Sequence, residues 1–367
     1  MTRLHYANTA DGNMLYMVGK KMPDPFFFLV HDGKRYVFLS ATDFDAYEEQ
    51  SSGDVEAIDV GPLLAEASRH QGDLTANLAV VIIEKYKVTN EISVPPSFPV
   101  QIADMLRAND ISLVVDQLWA PERLLKSEKE TAAITQNFKD TLHSYVLLEQ
   151  ILKDSVIVGD TLIYDGAVLT SEFLKREVSK VLLNYDLENT AGIIISCGVH
   201  ASMPHHGGAG PIAPRQTIIA DIFPQSSKNN YFADMTRTYV KGEPSDEIVK
   251  MYEAVREAQE ASLSALQPGK SCKEIYEISA DMIRSHGFDV GEKGYIHSLG
   301  HGLGVDIHEA PRVSGSSETI LAPGHVITIE PGLYYADIGG VRIEDTVVIT
   351  EEGHKNLTNF ETNWIIP

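Results

Sequence analysis

Five side chains able to bind a metal ion are spread in order through the C-terminal part of the chain. They are four carboxylates and one imidazole: Asp221, Asp234, His301, Glu330 and Glu344. Structural zinc sites use mostly cysteine and histidine, whereas an oxygen-rich set suits two hard divalent cations that share ligands. This feature restricts the fold strongly, because segments far apart in sequence must meet at one point. The set predicts a dinuclear metallohydrolase.

The composition limits the classes of function. The chain has 367 residues, 43% of them apolar and 22% charged, which is typical of a globular protein with two domains. Its formal net charge of −22 argues against binding to nucleic acid or to an anionic membrane surface. The two distant cysteines, Cys197 and Cys272, and the lack of a signal-like or membrane-spanning apolar run predict a cytoplasmic protein.

The N-terminal part is predicted to be a small α/β domain, residues 1–121. The apolar runs 26–30 and 36–39 flank Asp32-Gly33, which is a hairpin signal. The runs 78–83 and 111–115 are short and continuous, as buried strands are. The boundary is expected near Pro121.

The order of elements after this boundary predicts an α+β catalytic domain, residues 122–367, with the ligands on its sheet. A capping box, Ser127 to Glu130, opens a helix that is expected to run to about residue 153. Further helices are predicted over 171–183, 246–266 and 271–287. Strands are predicted over 192–196 and 217–223, and strands and turns from residue 295 onward.

Two of the carboxylates belong to consecutive strand-like runs. Residues 340–350 are predicted to form one strand with Arg342 and Glu344 on its polar face, and a polar face of this kind is usually exposed to solvent. The run 326–330 is nearly all apolar and ends in Glu330. A carboxylate at the end of a buried strand needs a partner or a metal ion, unless a turn exposes it.

The two histidines nearest to these strands lie in different settings. His301 lies among glycines, which leave the ring accessible, although such a histidine is more often a loop residue than a ligand. His308 does not belong to the zinc-protease helix signature, because Arg312 stands where that signature has histidine. His308 is therefore interpreted as an acid/base or hydrogen-bonding group.

The aspartates and a histidine pair precede them. Asp221 ends an apolar run, and the turn-rich segment 224–230 predicts a hairpin that brings Asp221 and Asp234 together. Of the adjacent His205 and His206, we expect His205, directly after Pro204, to face the substrate. We expect His200 to lie at the surface.

Taken in order, these phrases resemble the creatinase/aminopeptidase, or pita-bread, metallopeptidases. The matching phrases are Asp234-Met-Thr-Arg-Thr, Gly300-His-Gly-Leu-Gly through His308-Glu-Ala-Pro, Ile329-Glu-Pro-Gly and Val341-Arg-Ile-Glu-Asp. Within the family the chain looks most like the Xaa-Pro peptidases, prolidase and aminopeptidase P. The resemblance covers about residues 122–367, and extends weakly to the N-terminal domain through 13–19, similar to the family's early strand.

The resemblance implies a creatinase-like N-terminal domain and a pita-bread catalytic domain that binds two divalent ions. Oxygen-rich ligation favours manganese as the ion, with cobalt or zinc as alternatives. The resemblance assigns Asp221 and Asp234 to one ion and His301 and Glu330 to the other, with Asp234 and Glu344 bridging. It also implies a homodimer that cleaves the bond before proline in a dipeptide or longer peptide.

The resemblance also implies roles in the reaction. Glu330 is expected to move a proton from the attacking water to the leaving nitrogen. His308, together with His205, is expected to stabilise the oxyanion. Arg342 matches a substrate-binding arginine that would orient a carboxylate or a carbonyl.

The match has one departure and leaves several alternatives open. Asp221 and Asp234 are farther apart than in the family's pattern, Phe223 replaces a glycine, and Asn230-Tyr231 replaces glycine-tyrosine, so the loop between the aspartates is remodelled. The alternatives are a methionine-aminopeptidase-like enzyme, which would not need the N-terminal domain, and a non-catalytic binding protein on the same scaffold. Creatinase itself lacks the ligand set. The choice between dipeptidase and aminopeptidase stays open.

Overall fold

The structure is a computed structural model and describes residues 1–49 and 53–367. The chain divides into two compact units, Met1–Pro121 and Glu122–Pro367. Within the described residues, no helix combines the length and the apolar character needed to cross a membrane.

The first unit is a mixed sheet with helices. Its described strands lie in the order β4-β3-β2-β1-β5-β6, with β1 antiparallel to β2 and parallel to β5. In chain order its elements are β1 (Thr2–Ala7), α1 (Gly12–Val18), β2 (Phe26–His31), β3 (Lys34–Leu39), α2 (Ala41–Glu48), β4 (Glu56–Asp59), α3 (Gly61–Ala67), α4 (Leu74–Lys85), β5 (Ile92–Val94), α5 (Val100–Ala108) and β6 (Leu113–Val115).

Two sequence predictions in this unit are wrong and two are confirmed. The hairpin is present as β2 and β3, and β6 lies inside the run 111–115. Residues 78–83 belong to the helix α4, which Asp73 opens by accepting a hydrogen bond from the backbone N–H of Ala76. A buried helix is apolar on most of its surface, so periodicity alone could not separate it from a strand. The stretch 13–19 lies mainly in the helix α1, which Asp11 caps, and is not a strand.

The second unit contains both helix pairs and the ligand-bearing strands. In chain order its elements are α6 (Glu128–Asp154), β7 (Val156–Val158), β8 (Thr161–Tyr164), β9 (Ala167–Val168), α7 (Ser171–Leu183), β10 (Leu187–Glu188), β11 (Ile194–Cys197), β12 (Thr217–Ile222), β13 (Gln225–Ser226), β14 (Met235–Lys241), α8 (Asp246–Ala265), α9 (Cys272–Ser285), β15 (Gly300–Gly302), β16 (Glu309–Val313), β17 (Val326–Ile329), β18 (Gly332–Tyr335), β19 (Gly339–Arg342), β20 (Asp345–Thr350), β21 (Gly353–Asn356) and β22 (Ile365–Ile366).

Each helix pair covers one sheet. The first sheet has the order β11-β12-β14-β22, and its buried side chains share a core with α6 and α7. The second has the order β16-β15-β17-β20-β21, and α8 and α9 pack on it around a second core. Helices and mainly antiparallel strands are segregated in this way in α+β proteins, so the predicted fold class is confirmed.

Local signals in the sequence account for the helix starts. The predicted capping boxes at Ser127 and Ser271 are both formed, with Glu130 and Glu274 closing them, and they open α6 and α9. The structure confirms the predicted helix 171–183 as α7. It also confirms the predictions for the neighbourhoods of α8, β11 and β12 to within a few residues.

Residues 340–350 do not form the single predicted strand. They are divided between β19, which pairs with β18, and β20, which pairs with β17. The break lies at Glu344, whose backbone N–H donates to the carbonyl oxygen of Thr236 at 3.0 Å and thereby pairs with β14 instead. The side chains of Arg342, Glu344 and Thr346 are buried, so the solvent-exposed alternative for this polar face does not hold. The break joins the two sheets at the position of a predicted metal ligand.

Candidate metal centre

The hairpin predicted between the two aspartates is present. β12 and β14 are antiparallel, with Asp221 opposite Thr236, and Asp234 directly precedes β14. The register therefore brings both carboxylates to the same end of the pair. The remodelled loop between them folds back on itself through a bridge between Gln225 and Phe232.

The other three predicted ligands lie on or beside strands of the second sheet. His301 lies on β15 and is buried, so it is a strand residue and not a loop residue. Glu330 follows the last residue of β17, where Ile329 lies opposite Asp345 of β20, so Glu330 and Glu344 lie at neighbouring strand ends. The sheet can close this tightly only because residue 300 is glycine: a Cβ there would lie 1.9 Å from the carbonyl oxygen of Thr328.

A cavity of about 720 Å³ brings the sequence-predicted site residues together. All eight line it: His205, Asp221, Asp234, His301, His308, Glu330, Arg342 and Glu344. Ligand atoms of three of them lie within 4.8 Å of one another: Asp234, His301 and Glu344.

The structure separates the two adjacent histidines. His205 lines the cavity, as expected, whereas His206 accepts a hydrogen bond from the backbone N–H of Gly208 at 3.0 Å. His206 also stacks on His200 with the ring centroids 4.0 Å apart. His200 is therefore half-buried against a neighbour and not a simple surface residue.

The tautomer of His301 indicates a place for a cation. Its Nδ1 lies 3.1 Å from the carbonyl oxygen of Gly302, which can only accept, so Nδ1 carries the proton. Its Nε2 lies 3.6 Å from Oδ2 of Asp234 and 3.4 Å from Oε1 of Glu330. Burial, and then His308, lower the pKa of His301 to about 3, so the ring is neutral. A lone pair that faces two carboxylates needs a cation between them.

The carboxylates indicate the same need. Burial, and then neighbouring carboxylates, raise the pKa of Asp234 and of Glu344 well above their ordinary values. Burial raises the pKa of Glu330 to about 8, although Arg342 lowers it. Oδ1 of Asp221 and Oε1 of Glu344 are buried without a hydrogen-bond partner in the part of the chain that the structure describes. The donor set and its unsatisfied oxygens therefore fit divalent cations.

Arg342 is held inside the site. Its Nη2 donates to Oδ2 of Asp221 at 2.7 Å, and its Nη1 donates to the hydroxyl of Tyr334 at 2.8 Å. Its Nε donates to the hydroxyl of Thr236 at 3.3 Å. The guanidinium therefore orients the carboxylate of Asp221 while lining the cavity, a contact that the sequence did not reveal.

Sequence reasoning missed the residues that orient the ligands. The hydroxyl of Thr236 donates to Oε2 of Glu344 at 2.7 Å, and that of Thr328 lies 3.4 Å from Oε1 of Glu330. Thr236 lies two positions after Asp234 and Thr328 two positions before Glu330, so each threonine faces the same side of its extended segment as that predicted ligand. This period of two was the available signal.

Arg237 has a structural role. It donates to Asp345 at 2.7 Å, to the carbonyl oxygen of Glu344 at 2.7 Å and to that of Phe360 at 2.8 Å. The contacts fix the backbone of Glu344 and tie the C-terminal segment to β14. The arginine in the phrase Asp234-Met-Thr-Arg-Thr thus supports the candidate metal site through its contact with the backbone of Glu344.

Known proteins match the chain over this region. A sequence model of metallopeptidase family M24 matches residues 162–351. An Xaa-Pro dipeptidase of Pyrococcus furiosus is 44% identical over 169 residues, which are 46% of this chain and 47% of that protein. The alignments thus span about half the length of such curated relatives.

Solved structures match nearly the whole chain. A prolidase from Pyrococcus horikoshii has a TM-score of 0.78 and 26% identity, covering 99% of this chain and 95% of its own. An Xaa-Pro dipeptidase from Bacillus anthracis has a TM-score of 0.82 and 22% identity, covering 100% of this chain and 95% of its own.

The family match covers more than half of the chain and contains all eight predicted site residues of the cavity. The likeness in fold extends over both compact units. The expected pita-bread fold is therefore confirmed, and the chain belongs to metallopeptidase family M24.

Proposed function

We propose that this protein is a two-metal peptidase that hydrolyses the bond between an N-terminal residue and proline. The observation that carries the proposal is the convergence of four carboxylates and one neutral imidazole in one cavity, with buried oxygens that have no partner among the described residues. The names of the relatives, Xaa-Pro dipeptidase and prolidase, support the choice of substrate.

We infer that the ligands divide between two cations as the resemblance implies. Asp221 and Asp234 would hold one cation, His301 and Glu330 the other, and Asp234 and Glu344 would bridge them. Manganese is the proposed native ion, since oxygen-rich ligation favours it, and cobalt or zinc would substitute in vitro. When bound, the two cations would supply charge stabilisation and a water of lowered pKa.

Glu330 is the proposed proton carrier. Its carboxylate lies at the cavity wall, 3.4 Å from His301, and its raised pKa of about 8 in the metal-free protein is evidence of an environment that favours the protonated form. With the cations bound, this carboxylate would be held ionised, so that it could accept the proton of an attacking water near neutral pH and deliver it to the nitrogen of proline as the peptide bond breaks.

His308 is the proposed oxyanion donor. Its ring packs edge-on against His301 with the centroids 4.3 Å apart, and it lines the cavity. Burial, and then His205, lower its pKa, so the imidazole is neutral at pH 7. A neutral imidazole offers an N–H to the carbonyl oxygen of the substrate as negative charge develops there. His205 lies on the same cavity and would assist.

Arg342 has two proposed roles. Its contact with Asp221 keeps that ligand oriented, and its position at the cavity wall suits a substrate carboxylate or backbone carbonyl. We further propose a cytoplasmic location, consistent with the free Cys197 and Cys272. A homodimer is proposed from the resemblance alone.

Peptide cleavage with controlled metal content tests the proposal. Metal-stripped protein should not cleave Ala-Pro or Ala-Pro-Ala, and addition of Mn²⁺ should restore cleavage before proline in one or both. Cleavage of the dipeptide alone would identify a dipeptidase, and cleavage of the tripeptide an aminopeptidase. Ala-Ala and Met-Ala serve as controls, because preference for Met-Ala would favour the methionine-aminopeptidase alternative. Bound metal without any cleavage would favour the binding-protein alternative.

A further inference from the structure

We propose that three buried charged residues, Arg123, Lys126 and Glu309, position His308 for the reaction. We call these three residues the Glu309 clamp. The inference rests on the proposed function, because it assigns the clamp to the proposed oxyanion donor. It adds positioning residues outside the metal ligands, drawn from the segment that precedes α6.

Each oxygen of the Glu309 carboxylate accepts a hydrogen bond from a cationic side chain. Oε1 accepts from Nη2 of Arg123 at 2.6 Å, and Oε2 accepts from Nζ of Lys126 at 2.8 Å. The side chains of Glu309 and Lys126 are only 5% and 2% exposed. Arg123 also pairs with Asp306 at 2.6 Å. At this depth the geometry of the contacts is fixed, since a misaligned buried charge loses its solvation without compensation.

The chain between His301 and His308 folds around this carboxylate. The backbone N–H of Asp306 donates to Oε1 of Glu309 at 3.0 Å. A Cβ at Gly304 would lie 2.4 Å from Oε1 of the same group, so only glycine lets the loop close this far. The loop of residues 302–308 is thus packed around the carboxylate of Glu309. Any movement of Glu309 displaces His308, its neighbour in the chain.

The cationic side of the clamp is anchored to rigid structure. The backbone N–H of Lys126 donates to the carbonyl oxygen of Gly324 at 2.7 Å, and its Nζ donates to that of Arg123 at 2.7 Å. Ser127, the next residue, is the cap of α6. The contacts of Lys126 therefore fix Glu309, and with it His308, relative to the first residues of α6.

The other side of the loop is held by the remodelled segment between the aspartates. The backbone N–H of Phe232 donates to the carbonyl oxygen of Gly304 at 2.8 Å, and the side chain of Gln225 donates to that of Val305 at 3.4 Å. The loop that precedes His308 is therefore held both by the Glu309 clamp and by the segment between the aspartates. A burial of three charges contributes little net stability compared with apolar packing, so a positioning role explains the cluster better than stability does.

The test compares kcat and KM for Glu309→Gln, Lys126→Met and Lys126→Arg in the manganese-loaded full-length protein. A displacement of about 1 Å can cost on the order of 100-fold in rate. We expect Glu309→Gln and Lys126→Met to lower kcat by about 10- to 100-fold with little change in KM, and Lys126→Arg to recover most of the loss. Glu149→Gln, at a half-buried carboxylate of α6 that contacts Tyr239 and Lys153, is the control and should leave kcat unchanged.

A double-mutant cycle separates positioning from general damage. In a His308→Ala background, Glu309→Gln should produce no further loss of kcat, because the group that it positions is gone. An equal loss in both backgrounds, or an unchanged kcat in Glu309→Gln, would overturn the proposal. If the wild-type protein cleaves no Xaa-Pro peptide, the proposed function fails instead.

A second readout does not depend on activity or on metal. The imidazole C2–H resonance of His308, identified by its disappearance in His308→Asn, should be a single sharp line in the wild-type protein. In Glu309→Gln and Lys126→Met this resonance should broaden or split, while the far-UV circular dichroism spectrum stays that of the wild-type protein. An unchanged His308 resonance in both folded variants would contradict the clamp.

Discussion

Removal of metal should make the stability of this protein fall as the pH rises. The reason is the cluster of carboxylates in the cavity, where burial raises the pKa of Glu330 to about 8 and the pKa values of Asp234 and Glu344 well above their ordinary range. These groups stay protonated in the folded metal-free protein at a pH at which the unfolded chain has released the protons.

The sign and the magnitude follow from linkage. A group whose pKa is raised on folding contributes stability that is fully present below its unfolded pKa, 4.5 for glutamate, and is lost as the pH rises through the folded pKa, about 8 for Glu330. Each such group lowers the free energy of unfolding by about 1.4 kcal/mol per pH unit in that window. The slope halves at the folded pKa itself, so from pH 6 to pH 8 the loss is about 2 kcal/mol for one group.

Urea unfolding of the metal-free and manganese-loaded protein between pH 6 and pH 8 measures the effect. Bound cations keep the carboxylates ionised, so the difference in unfolding free energy between the two forms should widen with pH. Glu344→Gln, which removes one titrating group, should flatten the decline of the metal-free protein. A difference that stays constant or narrows would refute the assignment of raised pKa values to this cluster.

Three further substitutions have defined outcomes. Thr236→Val removes the hydrogen bond to Glu344 and should weaken manganese binding by about 10- to 100-fold in a metal titration, with the fold unchanged. Arg237→Met leaves the carboxylate of Asp345 buried without its cationic partner and should cost about 3–5 kcal/mol in urea unfolding, whereas a loss below 1 kcal/mol would contradict the structural role of Arg237. Gly300→Ala places a Cβ 1.9 Å from a strand carbonyl oxygen and should lower the melting temperature and metal affinity together, as differential scanning calorimetry and metal titration would show.

Sequence patterns predicted the helices of the catalytic unit well because caps are local signals. Ser127 and Ser271 each open a helix with a glutamate three residues later, and both boxes are formed. The prediction of a strand over residues 78–83 was wrong because the apolar run itself contains no such local signal. Its apolar side chains suit a buried strand or a buried helix equally, and the helix follows from Asp73, a cap placed before the run.

The residues proposed as ligands could be named from the sequence, but their geometry could not. Glu344 was predicted to lie within one strand, yet it lies where the chain leaves β19 and enters β20, paired by its backbone to Thr236 of another sheet. Such a pairing depends on residues more than a hundred positions away, so no local pattern contains it. The contact of Arg342 with Asp221 was missed for the same reason.

The clamp around Glu309 lay outside sequence reasoning altogether. Arg123 and Lys126 precede a helix in an ordinary charged segment, and their partner is more than 180 positions away. Only the fold brings them together. Motif phrases therefore predicted residues that line one cavity, whereas the supporting contacts had to come from the structure.

We propose that two cations bound in this cavity are required for hydrolysis of the peptide bond before proline. The most direct measurement titrates Mn²⁺ into metal-stripped protein while following both bound metal and the cleavage of Ala-Pro and Ala-Pro-Ala. We expect no cleavage without metal, full activity at two equivalents per chain, and loss of both binding and cleavage in Asp234→Ala. Cleavage by the metal-stripped protein, or full activity in Asp234→Ala, would contradict it.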